Sequence, residues 1–190
     1  MGRVRIIAGS LRGRRLEVLE QPGLRPTSDR TREALFSILA DRIVGARVLD
    51  AYAGTGALGF EALSRGARHA VFIESSPSVA RALERSRADL GLLDVSRVLT
   101  GDVVRLLDSG VLGGPFDLVL ADPPYGGGEH DRFLAAIGRH QPVDSGGLLI
   151  LEDEVSKTDR SGPDLPGFAH FRQATYGRTV LHFYEAGHGS

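Results

Sequence analysis

One tetrapeptide in this chain has the composition of a small chemical device. Asp122-Pro123-Pro124-Tyr125 closes the apolar run Leu118 to Ala121, and three glycines follow it. Neither proline has an amide N–H, both keep a carbonyl, and each fixes its own φ. The turn is therefore stiff and rich in acceptors, with the flat face of Tyr125 beside it. Such a turn suits an exocyclic amine on a nucleobase, which presents two N–H donors and a π-face. A carboxylate and a carbonyl that accept both hydrogens favour a pyramidal nitrogen and aim its lone pair outward. An aromatic ring holds the base, as in pockets for flipped bases. The plainer alternative is a strand that needs a stop.

A second constellation bears on the choice. "LDAYAGTGALG" places Asp50 before Gly54, Gly56 and Gly59, in the order D-x-x-x-G-x-G-x-x-G. A dinucleotide loop keeps its helix N-terminus open for a pyrophosphate. An acid at that mouth repels phosphate and welcomes a cation. S-adenosylmethionine, with an ammonium, a sulfonium and no phosphate, fits better than a nicotinamide dinucleotide. Glu74 ends the next apolar run and is placed to accept ribose hydroxyls. Asp102 follows the third and is placed to accept from an adenine amino group, with a neighbouring amide donating to the ring. A single acid at a strand end is commonly a solvated terminus. Three of them after consecutive strands form a pattern.

These residues need a scaffold that delivers strand ends to one edge. Apolar runs at 47–54, 69–75, 95–102, 115–125 and 146–154 read as strands. Helical patterns cover 57–66, 76–92 and 129–140, with Ser76 as N-cap and Pro77 at the first helical position of the second. A further helix starts in "RPTSDRTREALFSILADRI", capped by Ser28 or Thr27. Residues 168–186 read as two strands around Tyr176-Gly177, and residues 155–167 as a loop. The expectation is an α/β, doubly wound, mainly parallel sheet closed by an antiparallel C-terminal hairpin. Two short strands around Gly9 to Gly13 form an N-terminal hairpin, expected as an extension over 1–22 on a domain spanning 23–190.

Composition narrows the class. The 190 residues suit one domain, and no cysteine is available for disulfides or thiolate chemistry. No apolar run approaches a membrane span of roughly 20 residues. The N-terminus has no secretory h-region, and Ile stands at position six where a myristoylation signal wants Ser or Thr. A soluble cytoplasmic monomer is expected. Net charge is −1, yet residues 1–32 carry eight arginines against three acids. That imbalance suggests nucleic-acid contact, with Arg3, Arg5, Arg12, Arg14, Arg15 and Arg30 as candidates. The scarcity of lysine also follows from GC-rich coding. The six histidines show no metal-ligand spacing, so no metal is expected. His130 reads as a solvated helix residue, and Glu152-Asp153-Glu154 as a solvated strand end.

"DPPY" resembles the signature of S-adenosylmethionine-dependent amino-methyltransferases acting on nucleic acids. More narrowly, nearly the whole chain is similar to the bacterial RsmD-type family, which methylates guanine N2 in small-subunit ribosomal RNA. The likeness runs through "RIIAGSLRGRRL", "RPTSDRTREALFSIL", "VLDAYAGTGALGFEALSRGA", "VFIESS", "LVLADPPY" and "YGRTVLHFYE". It implies a Rossmann-like methyltransferase fold. The loop from Tyr52 to Gly56 would hold the methionine part of the cofactor, Glu74 the ribose, and Asp102 with Val103 the adenine. Asp122, Pro123 and Tyr125 would hold the target base as the catalytic group. The segment around Thr27 and Arg30 would complete the cofactor pocket or approach RNA, and the basic hairpin would grip phosphates. The partner would be ribosomal RNA or an assembling small subunit. Ser37 and Ser86 depart from the family, which often has Asn there. Three other readings stay open. An adenine-N6 DNA methyltransferase shares the device but usually carries a further recognition domain. A non-catalytic RNA- or cofactor-binding module would be free to lose "DPPY". A nicotinamide dehydrogenase is disfavoured by the glycine spacing.

Overall fold

A computed structural model describes residues 4–19, 28–124, 128–154 and 162–187. The short Val/Leu/Ile-rich runs become β1 (Arg47–Asp50), β2 (His69–Glu74), β3 (Ser96–Thr100), β4 (Phe116–Ala121) and β5 (Val143–Glu154). The C-terminal hairpin supplies β6 (Phe168–Tyr176) and β7 (Thr179–Ala186). Seven strands lie in the order β3-β2-β1-β4-β5-β7-β6. The first five are parallel, and β7 runs antiparallel to β5 and to β6. The order reverses between β1 and β4. In open α/β sheets that switch point is where a ligand crevice opens.

Period-2 burial divides the sheet into two faces. Val48, Phe72, Leu120, Ile150 and Phe183 face one core, covered by α1 (Asp29–Ile38), α2 (Ala57–Ser64) and α3 (Pro77–Asp89). Leu49, Val71, Val119, Leu151 and Tyr184 face the other, covered by α4 (Val103–Asp108) and α5 (Glu129–His140). Ser28 caps α1 by accepting from the Thr31 amide at 3.1 Å. Ser76 occupies the N-cap of α3, but its hydroxyl meets the Ser78 hydroxyl at 3.0 Å and makes no cap hydrogen bond.

The N-terminal extension shares the main core. Val4, Ile6 and Leu16 are buried in the same cluster as Phe60 and Phe72. The segment pairs as a short hairpin, with the Ile6 amide donating to Arg14 O at 2.9 Å, the Leu16 amide to Val4 O at 3.0 Å, and an antiparallel bridge from Arg5 to Arg15. Beyond Ile6 its backbone turns to α2. Glu61, fully buried, accepts from the Ile7 amide at 2.7 Å and the Ala8 amide at 3.0 Å, and Arg65 Nε donates to it at 2.7 Å. Gly9 sits so close to α2 that a Cβ would lie 1.9 Å from the Ser64 carbonyl oxygen. The expected boundary at residues 22 and 23 lies outside the described residues.

Candidate active site

The pairing registers gather the predicted acids into one row. Asp50 pairs with Phe72 on one side and Leu120 on the other. Glu74 and Asp122 each stand two residues further along, so period 2 puts both on the Asp50 face. Ala121 pairs with Leu151, which sets Asp122 beside Glu152. Across adjacent parallel strands the order is Glu74, Asp50, Asp122, Glu152, at the carboxyl ends flanking the switch point. Asp102, just past β3, extends the row.

Each acid is held by the loop it serves. Asp50 Oδ2 accepts from the Gly59 amide at 2.9 Å and anchors α2 to β1. Glu74 Oε2 accepts from Gly54 N at 3.0 Å, and its Oε1 from Ser76 N at 2.7 Å. The ribose candidate therefore ties the glycine loop to the start of α3. Gly56, at φ +74°, is the N-cap of α2, and a Cβ there would lie 2.6 Å from Leu83 and Phe60 side chains. Asp102 caps α4 by accepting from the Arg105 amide at 2.9 Å. Val103 is the first residue of that helix and is buried.

Crowding carboxylates in a dry place moves their titration. Burial pushes Asp50 up to about 7, with the Gly59 amide opposing and Glu74 adding. Burial, then Glu152, then Asp50 push Asp122 up to about 8. Pro123 is buried and Pro124 exposed at the mouth. Thr27 and Tyr125 lie outside the described residues.

Three features escape the sequence reading. The first is α4, between β3 and β4. The second is Glu152. β5 runs on through Glu154, so Glu152 lies inside the sheet at 7% exposure instead of at a solvated strand end, with Thr179 Oγ1 at 3.4 Å. The third is a bridge across the cofactor side. Tyr52 donates its hydroxyl to Glu129 Oε1 at 3.0 Å, and its ring meets Phe133 edge-on at 5.4 Å. Arg132 donates to Glu129 Oε2 at 2.6 Å and reaches Asp102 Oδ1 at 3.5 Å. The first turn of α5 thus joins the loops after β1 and β3. The only advance signal was the position of Glu129, directly after the glycines that follow Tyr125. His130 is packed more closely than a solvated residue, with Nε2 buried 3.8 Å from Asp153 Oδ2.

A family model described as conserved hypothetical protein 95 matches residues 4–185. The chain belongs to that family. It is 36% identical over 185 residues to "Ribosomal RNA small subunit methyltransferase D" of Escherichia coli K12, covering 97% of this chain and 90% of that one. Identity to the Haemophilus influenzae protein of the same name is 36% over 157 residues, covering 82% and 81%. A solved structure described as putative methyltransferase yhhF from Escherichia coli superposes with a TM-score of 0.86 at 35% identity, covering 98% and 99%. The resemblance to the RsmD type is borne out, as is the Rossmann-like sheet with its antiparallel end.

The arginines of this family member divide on inspection. Arg12 and Arg15 are exposed. Arg14 donates to the Asp89 carbonyl at 2.6 Å, and Arg5 lies 3.3 Å from Asp29. Arg30 is exposed on the first turn of α1. Arg3 lies outside the described residues. Of the two departures from the family pattern, Ser86 is buried and accepts from the Glu17 amide at 3.2 Å, while the Ser37 hydroxyl donates back to Glu33 O at 2.8 Å. Among the described residues no helix is long and apolar enough to cross a membrane.

Proposed function

We propose that the protein transfers a methyl group from S-adenosylmethionine to the N2 amine of a guanine in small-subunit ribosomal RNA. The observation that carries this reading is the acid row at the switch point, with Asp50 and Asp122 side by side within it. Burial has raised Asp50 and Asp122 with no cation beside them among the described residues, so the row offers a pyrophosphate no counter-charge, while a sulfonium placed there would favour their ionised forms. The relatives named as ribosomal RNA small subunit methyltransferases support the substrate class.

In this reading the Tyr52–Gly56 loop and Asp50 hold the methionine end, Glu74 the ribose, and Asp102 with the Val103 amide the adenine. Bound there, S-adenosylmethionine supplies an electrophilic methyl on a sulfonium for direct in-line displacement by the target amine. Asp122 Oδ and the Pro123 carbonyl accept the two amine hydrogens and orient the lone pair. In its ionised form the Asp122 carboxylate is basic enough to take the proton that the amine loses. Tyr125 stacks the base. Positioning and electrostatics do the remainder, with no covalent intermediate on the protein.

The test is methyl transfer from labelled S-adenosylmethionine to small ribosomal subunits, naked ribosomal RNA and duplex DNA in parallel, with Asp122→Ala as control. N2-methylguanine in RNA, lost in the variant, is the expected outcome. Label on DNA adenine overturns the substrate and keeps the chemistry. No label, with cofactor bound, favours a binding module.

A further inference from the structure

The β6–β7 hairpin turn reaches the same edge of the sheet as Asp122. Glu154, at the carboxyl end of β5, pairs with Thr179, and Thr179 pairs with Tyr176. Beside this turn opens a cavity of about 340 Å³, lined by Ser28, Arg30 and Thr31 from α1 and by Thr175, Tyr176 and Gly177. From β4 to β6 there are three strand spacings of about 4.8 Å, so the cavity lies about 14 Å along the edge from Asp122. That is the length of about four stacked nucleotides at ~3.4 Å each.

Its chemistry differs from that of the acid row. Arg30 is exposed and has no ion pair among the described residues. The nearby acids are neutralised. Asp29 is held by Arg32 at 2.7 Å and Arg5 at 3.3 Å, and Glu154 by Arg178 at 3.1 Å. Tyr176 is half-buried: it packs against the main core and still lines the cavity. A fixed aromatic ring beside a free guanidinium matches a base with its phosphate, the pairing that single-strand binders use. The concavity suits an unstacked nucleotide and not a duplex, whose bases are paired and stacked.

We propose that this cavity is a second nucleotide subsite. It takes a single-stranded RNA nucleotide flanking the target, with its base on the Tyr176 ring and its phosphate at Arg30. The proposal rests on the RNA reading above and adds a place where the strand is held before the target reaches Asp122.

The test measures methyl transfer to small ribosomal subunits by Tyr176→Ala, Tyr176→Phe and Arg30→Gln, with cofactor affinity and melting temperature alongside. Losing one base stack raises the RNA KM of Tyr176→Ala about tenfold, with kcat and cofactor affinity nearly unchanged. Tyr176→Phe recovers most of that loss. Arg30→Gln lowers the slope of log affinity against log salt by about 0.7. An RNA KM for Tyr176→Ala within twofold of the unchanged protein overturns the subsite. So does an equal loss of cofactor affinity, which would mark Tyr176 as purely structural. If the unchanged protein methylates no ribosomal RNA, the target reading fails by itself. The subsite is then read from the anisotropy of a labelled single-stranded hexaribonucleotide. Weakening by Tyr176→Ala with recovery by Tyr176→Phe sustains it, and equal binding by all three proteins overturns it.

Discussion

Replacing Asp122 by Asn should stabilise the fold, and more so as pH rises. Asp122 titrates near 3.8 when unfolded and at about 8 in the folded chain. An acid with a raised folded pKa binds its proton more tightly when folded. Its penalty is therefore absent below the unfolded pKa and grows as pH rises towards the folded one. At about 1.36 kcal/mol per unit, the ceiling at pH 7 is about 4 kcal/mol. Asp122 keeps part of its surface in water, and screening there brings the figure to about 2 kcal/mol. For a chain of this length that is about 4–8 °C in Tm. Differential scanning calorimetry of both proteins from pH 5 to 9 should show a gap of about 1–3 °C at pH 5 that widens to pH 8 and then levels. Asn keeps the side-chain shape, so packing cancels between the two. A gap that stays constant with pH, or that narrows as pH rises, would falsify the electrostatic account of the cleft.

Three further outcomes follow from the hydrogen bonds. Glu129→Ala removes the partner of Tyr52 and of Arg132. Titration calorimetry should show cofactor affinity falling several-fold, with the RNA KM little changed. Glu61→Ala leaves the half-buried Ile7 and Ala8 amides and the Arg65 guanidinium without their carboxylate partner. A loss of about 3–5 kcal/mol is expected, or roughly 6–20 °C in Tm, with faster proteolysis within residues 4–16. Arg12→Ala with Arg15→Ala should reduce the salt slope of RNA binding by about 1.4, at ~0.7 per phosphate contact on a single strand. An unchanged slope removes the extension from the RNA interface.

Much of the scaffold was legible because the parallel strands are short and buried on both faces. Val48-Leu49, Val71-Phe72-Ile73 and Leu118 to Ala121 are unbroken apolar runs, and each stops at an acid. The acids could be placed at one edge once the runs were read as parallel strands. What stayed hidden depended on contacts between distant residues. Glu152 is buried because β7 pairs with it from a segment nearly thirty residues away. Tyr52 and Glu129 are 77 residues apart in the chain. The N-terminal hairpin stays short because Glu61 takes the Ile7 and Ala8 amides. α4 has only six residues, too few to show a helical period, and its cap Asp102 had already been read as a ligand.

Charge in this molecule is sorted by depth, and the sorting constrains how an RNA strand can enter. Glu74, Asp50, Asp122 and Glu152 stand at the strand ends, while Arg30, on the first turn of α1, stands exposed beside the same edge. A phosphate approaching Asp122 finds no cationic partner among the described residues of the row, so the sugar–phosphate chain is turned away from it. The same phosphate meets the Arg30 guanidinium outside. A base can satisfy both only by leaving the stack, so that its backbone stays with the arginine while its neutral ring descends to the acids. Unstacking costs a few kcal/mol and is least for a nucleotide that is already unpaired. The charge pattern therefore favours a base in a loop or an open strand over one inside a helix, with no base-specific contact required for that choice.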